Sequence, residues 1–147
     1  MDIEKIIREY IDGVIHLSLA TCTHDKPWIC EVHFSYDGDL NFYFLSKPER
    51  RHSREIATNP NVSGSIITQH KIGESVRGIS FEGIVEEIKG ITETHPAYVT
   101  YCERFGTGPE ILDHGFYMIK VSDFYLFDNR ETEPGQKYHL PWLNTTV

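Results

Sequence analysis

Nothing in the 147 residues approaches the roughly 20 consecutive apolar residues that a membrane-spanning helix requires, so no membrane partner is expected. Cysteine is also sparse. Cys22, Cys30 and Cys102 are an odd set, and the start MDIEKIIREY is amphipathic and charged without a signal-peptide core, so the reading is a cytoplasmic protein without a disulfide framework. Glycine and proline are scattered, with no repeat or low-complexity tract. Positive charge is scarce overall: 14 Lys and Arg against 22 Asp and Glu leave a net charge of −8. Polyanion binding normally shows as a broad basic surface, so no nucleic acid is expected. The length suits a single domain, 1–147, that buries roughly two-thirds of its unfolded surface.

The positive charge that is present is concentrated. Leu45 to Pro60, LSKPERRHSREIATNP, places Lys47, Arg50, Arg51 and Arg54 within eight residues. Ser46 followed three residues later by Glu49 is a capping-box pattern with Pro48 in the first turn, which predicts a helix starting there and running to about Thr58, with Asn59-Pro60 as its stop. Cations at a helix start oppose the macrodipole, and the free backbone N–H groups there suit an anion such as phosphate. Guanidinium forks match two phosphate oxygens at once, and His52 and Ser53 offer further hydrogen bonds. The alternative is a solvated basic face answering acidic neighbours.

Hydrophobic spacing predicts an amphipathic helix over residues 2–12, ended by Gly13. Strands are predicted over Val14 to Cys22, Trp28 to Tyr36 and Leu40 to Leu45, separated by turns at Thr23 to Pro27 and Asp37-Gly38. After the basic helix come strands over Val62 to Thr68 and Val76 to Ile88, the second with Gly78 and Gly83 as candidate bulges. A helix over Pro96 to Phe105 and two strands, Phe116 to Val121 and Phe124 to Phe127, precede a polar and aromatic tail. Short consecutive strands with few helices argue for an antiparallel barrel with peripheral helices, a mainly β (α+β) fold.

The run LATCTHDKPWICEVHFSYDGDLNFYFLSKPERRHSREIATNPNVSGSI resembles the pyridoxamine 5'-phosphate oxidase-like FMN-binding split-barrel family. The elements that carry the resemblance are Pro27-Trp28, Phe42 to Leu45, Arg50-Arg51-His52, Asn59-Pro60-Asn61-Val62 and RGISFEG at Arg77 to Gly83. The chain is most similar to a short subgroup whose tail carries a glycine-basic-aromatic segment, here GQKYHLPW at Gly135 to Trp142. The resemblance implies a homodimer of six-stranded antiparallel split β-barrels with FMN at the dimer interface. It matches Arg50 and Arg51, with Lys47 and His52 beside them, to the phosphate grip. Phe44, Leu45 and Ser46 match the strand end beneath the flavin, and Glu31, Val32 and His33 lie on the strand lining the ring and ribityl chain. His139 and Trp142 lie in the tail, placed to fold over the partner's cofactor.

Three readings follow. The first is an FMN-dependent oxidoreductase passing hydride or electrons between a nicotinamide donor and a small-molecule substrate, the redox chemistry belonging to the flavin. No residue stands out as a general acid or base. The second is a noncatalytic sensor or storage protein for FMN or haem, with His33 or His139 as axial ligand. The third is a structural dimer with a lapsed pocket, since many family members carry basic residues where this chain has Cys30 and Ser35. Cys22, His24, Cys30 and His33 hold the ligand types of a zinc site, but in a strand Cys30 and His33 point to opposite faces, which argues against zinc and against a Cys-His nucleophile.

Overall fold

The structure, a computed structural model, describes residues 1–106, 113–130, 133 and 135–142. Helix α1, Ile3–Asp12, is capped by the Asp2 carboxylate, which accepts from the Lys5 N–H, and it buries Ile7, Tyr10 and Ile11. Strands β1, His16–Thr23, and β2, Lys26–His33, form a hairpin. Its two loop residues, His24 and Asp25, both have positive φ (50° and 60°), the pattern of a type I′ turn that matches strand twist. The strand expected over Trp28 to Tyr36 divides at Phe34, so that Ser35–Tyr36 forms a separate short strand, β3, paired with β4, Phe42–Ser46.

Helix α2, Arg51–Thr58, starts later than the capping-box pattern predicts. Its N-cap is Arg50, without a side-chain cap, and Lys47 to Arg50 form a turn in which the Arg50 N–H donates to the Lys47 carbonyl (3.1 Å). Ser46 does not cap the helix because its hydroxyl is held by His52 and Ser53. There follow β5, Asn61–Ile66, β6, Arg77–Glu87, α3, Pro96–Phe105, β7, Gly115–Asp128, and β8, Tyr138–Pro141.

The two strands expected between Phe116 and Phe127 are one strand, β7. Glu82 pairs with Asp123 and Gly83 with Val121, which leaves Ser122 as the extra residue of a bulge. Ser122-Asp123 reads as a break in sequence because bulge residues are polar, yet the Ser122 hydroxyl donates to the Glu82 carbonyl and keeps the ladder continuous. Of the two candidate bulge glycines, Gly83 lies at the register shift; a Cβ there would stand 2.6 Å from the Lys120 carbonyl oxygen. Gly78 instead makes room for the Phe127 ring.

All eight strands belong to one antiparallel sheet in the order β2-β1-β5-β6-β7-β4-β3, with β8 added to β7. The six longer strands make a curled half-barrel, and its two sides, β2 and β4, approach without pairing, so the fold is a split barrel with a few peripheral helices. Phe34, Phe42, Phe44, Phe81 and Phe124 fill the interior, and Phe42 meets Phe34, Phe81 and Phe124 edge-on at 5.2–6.0 Å. Arg104 of α3 donates to the Ile11 and Val14 carbonyls and so satisfies the open C-terminal end of α1.

Asp128, fully buried at the end of β7, accepts from Arg77 of β6 (2.9 Å) and from the Arg130 guanidinium and N–H (3.0–3.1 Å). Burial pushes its carboxyl up, but the bonds from Arg130 and the charges of Arg130 and Arg77 outweigh burial and hold it below the ordinary 3.8. The unfolded chain therefore takes up this proton first as pH falls, so the stabilisation is present above pH 3.8 and is lost below it. Asp128→Asn is expected to cost about 3 kcal/mol in urea denaturation at neutral pH, since it leaves two guanidiniums facing a neutral group. The difference from the parent should shrink as the pH is lowered below about 4.

Candidate functional site

The split between β2 and β4 opens a cavity of about 260 Å³ where the free edge of β2, the end of β4 and the start of α2 converge. Glu31, Val32, His33, Leu45, Ser46, Lys47, Arg50 and His52 line it, together with Tyr101 of α3 and His114 just before β7. Eight of the ten residues singled out from the sequence are thus brought to one place. Phe44 lies beneath it, fully buried and stacked on Tyr117 at 5.0 Å.

Arg51 points elsewhere. Its Nε donates to Glu55 (3.0 Å) and its guanidinium lies over the Trp28 ring at 4.2 Å, beside a second cavity of about 460 Å³ that it lines with Arg54 and His24. Tyr101 and His114 were not singled out from the sequence. They reach the cavity only because α3 packs on β3 and because β7 starts opposite Ser46, and no local spacing encodes either contact.

The floor of the cavity is a polar chain. Ser53 donates to the Ser46 oxygen (2.9 Å), and Ser46 lies 2.6 Å from His52 Nε2. Burial, then the charge of Arg50, pushes the His52 pKa below the ordinary 6.5. His52 is therefore neutral at pH 7, and its Nε2 and the Ser46 hydroxyl share one hydrogen bond. Lys47 and Arg50 stand exposed at the mouth, and among the described residues neither side chain has a hydrogen bond or ion pair. The site thus offers two mobile cations above a neutral floor of hydrogen-bonded side chains.

Cys30 supplies no nucleophile. Burial, then the Glu31 and Glu55 charges, raises the Cys30 thiol to about 11, so it stays protonated at neutral pH. Cys30 packs against the core, whereas His33 faces out and pairs with His16. The tail forms β8 against Asp123 to Leu126, and Trp142 donates to the Asp39 carbonyl (2.7 Å), at the far end of β7 from Gly115, which pairs with Ser46. Eight residues of strand, about 26 Å, keep His139 and Trp142 from the cavity of their own chain.

No family model matches the chain. A UPF0306 protein of Photorhabdus laumondii is 30% identical over 102 residues, which make up 69% of this chain and 71% of that protein. Among solved structures, HutZ, the haem storage protein of Vibrio cholerae, superposes with a TM-score of 0.70 over 82% of this chain and 91% of its own, at 20% identity. General stress protein 26 of Bacillus anthracis does so with a TM-score of 0.66 over 95% of this chain and 100% of its own, at 21% identity. At such identities the two structures establish the shared split-barrel fold.

The low His52 pKa has a measurable consequence. Between pH 6.5 and its lowered folded value, the unfolded chain binds a proton that the folded chain refuses. Stability from this residue is full above pH 6.5 and declines as the pH falls through that window. Comparing urea midpoints at about pH 7.5 and 5.5, His52→Gln is expected to show a smaller acid-side loss than the parent protein.

Proposed function

The chain belongs to the UPF0306 family, and from the chemistry of the cavity we propose that it binds FMN, with Lys47 and Arg50 holding the phosphate. The observation that carries this reading is a pair of cations at the mouth of a cavity whose other wall is a strand edge, all without partners among the described residues. Val32, Leu45 and Tyr101 offer apolar and aromatic surface to a flat ring, and the free backbone groups of β2 offer hydrogen bonds to its heteroatoms. When bound, the flavin supplies hydride or electron transfer, and the function is that of a flavin-dependent oxidoreductase acting on a small molecule.

The cavity is smaller than the roughly 300 Å³ at which ligand pockets begin, and it is open. We take it as half of a site completed by a second copy, with Trp28 (40% exposed) and Ile29 (61% exposed) on β2 as contact surface. The three free cysteines suit a reducing compartment such as the cytoplasm.

Haem is the second reading, favoured by the likeness to HutZ. Both sequence-derived axial candidates have Nε2 engaged: His33 with His16 (2.9 Å) and His139 with Asp123 (2.7 Å). Haem ligation through either Nε2 requires that bond to break, whereas FMN at Lys47 and Arg50 disrupts nothing, which favours FMN.

Absorbance and fluorescence titrations with FMN, riboflavin and haemin test both readings. FMN is expected to bind more tightly than riboflavin, and Lys47→Ala/Arg50→Ala to lose about 30-fold or more in FMN affinity, about 2 kcal/mol, from charge-assisted bonds. A larger loss from Arg51→Ala than from Arg50→Ala moves the phosphate to the neighbouring cavity. A Soret band with no FMN affinity selects haem. Sedimentation at micromolar concentration is expected to give a dimer, weakened by Ile29→Glu.

A further inference from the structure

We propose that His16 and His33 form a two-imidazole chelate for a transition-metal dication that prefers right-angle coordination, Cu(II) or Ni(II). They are direct cross-strand partners at the end of the β1–β2 hairpin away from its turn, and both are exposed. Their Nε2 atoms lie 2.9 Å apart, and their ring centres are 4.5 Å apart with planes at 41°.

The two nitrogens share a hydrogen bond, but a bent one, whose proton a metal ion would replace. A head-on N–H···N bond of that length places the ring centres about 5.2 Å apart, because each centre lies about 1.15 Å behind its nitrogen on the donor–acceptor line. The shorter observed separation means that the ring axes are bent well away from the line joining the nitrogens. Two metal–nitrogen bonds of about 2.05 Å at a right angle place the nitrogens about 2.9 Å and the ring centres about 4.5 Å apart. Both observed distances match. A tetrahedral angle would part the nitrogens by about 3.3 Å, which disfavours zinc and favours the tetragonal or octahedral preferences of Cu(II) and Ni(II).

The strands supply the rigidity. A cross-strand pair holds its Cβ atoms at a fixed spacing, so chelation has only the χ1 and χ2 freedom of the two rings to restrict. Glu31, two residues before His33 on the same face, is turned to Ser18 (2.5 Å). Among the described residues, no third histidine, cysteine or carboxylate completes a cluster with the pair. Water fills the remaining coordination positions, and the site is a labile, surface-exposed one. It does not depend on the flavin reading, although His33 also lines the cavity and a dication there would add to the positive charge of Lys47 and Arg50.

The test is calorimetric titration of the full chain with NiCl₂ and with ZnCl₂ at about pH 7.5, and an electron paramagnetic resonance spectrum with one equivalent of CuSO₄. The parent protein is expected to bind Ni(II) more tightly than Zn(II) and to give a copper spectrum split by two nitrogens. Either His16→Gln or His33→Gln should weaken Ni(II) binding by about 10- to 100-fold or more. His24→Gln, at the other end of the hairpin, should bind as the parent does. Both paired residues are exposed, so each variant is expected to keep the parent's melting temperature without metal while losing the rise that Ni(II) gives the parent. Unchanged Ni(II) affinity in both variants overturns the site, and tighter binding of Zn(II) than Ni(II) overturns its geometry.

Discussion

The structure depends on a constraint placed on β7, whose 14 residues must serve three partners. One edge pairs with β6 from Tyr117 to Asp128, and the other is divided between β4 over Gly115 to Ile119 and β8 over Asp123 to Leu126. A flat strand of that length could not keep its inward residues on the core through the curl of a barrel. The extra residue at Ser122, opposite Gly83, supplies the local twist. Tyr117, Ile119, Val121, Phe124 and Leu126 are consequently buried in one core on both sides of the bulge. The same register sets Ser46 opposite Gly115, which brings the end of β4, the turn into α2 and His114 into one corner.

That corner is where the barrel fails to close. β2 presents an unpaired edge toward β4, and an unpaired strand edge is a liability that folded proteins cover or charge. Here Glu31 and His33 stand on the edge strand, and Lys47 and Arg50 stand across from it. The electrostatics divide by depth. Half-buried His52 is neutral and hydrogen-bonded to Ser46, while Lys47 and Arg50 remain outside, in water, where carrying a charge costs least. An anion entering this corner would meet the cations before it met the hydroxyls.

The β1–β2 hairpin is the part of the barrel that most addresses the outside. Val32 is the one β2 residue that is buried, while Trp28 and Ile29 lie open to solvent. Its geometry is nevertheless fixed, at one end by the His24-Asp25 turn and along its length by eight cross-strand pairs. A rigid yet exposed element can hold side chains at set separations, as it holds His16 and His33, and can offer an apolar face to a second molecule. Arg51, drawn over Trp28, links this hairpin to α2.

The strands, the three helices and most of the cavity's residues were legible in the sequence because they rest on local periodicity and on the order of short motifs. Ile79, Phe81 and Val85 alternate inward as their spacing requires, and Pro96 to Phe105 is a helix with the bounds its pattern gives. The departures are those in which a distant partner overrode a local signal. Ser46 matches a capping box but is claimed by His52 and Ser53; Ser122-Asp123 looks like a break but is a bulge; Tyr138–Pro141 looks like tail but finds the open edge of β7. By itself the sequence determined an antiparallel barrel and the placing of its cations at one helix start, since both follow from side-chain periodicity and charge along the chain, while the split of the barrel was implied by the family resemblance. Which cation faces the cavity, that Arg51 turns to Glu55 and Trp28, and that His16 meets His33 at 2.9 Å were decided only by strand register, which sets distances between residues that sequence spacing does not relate.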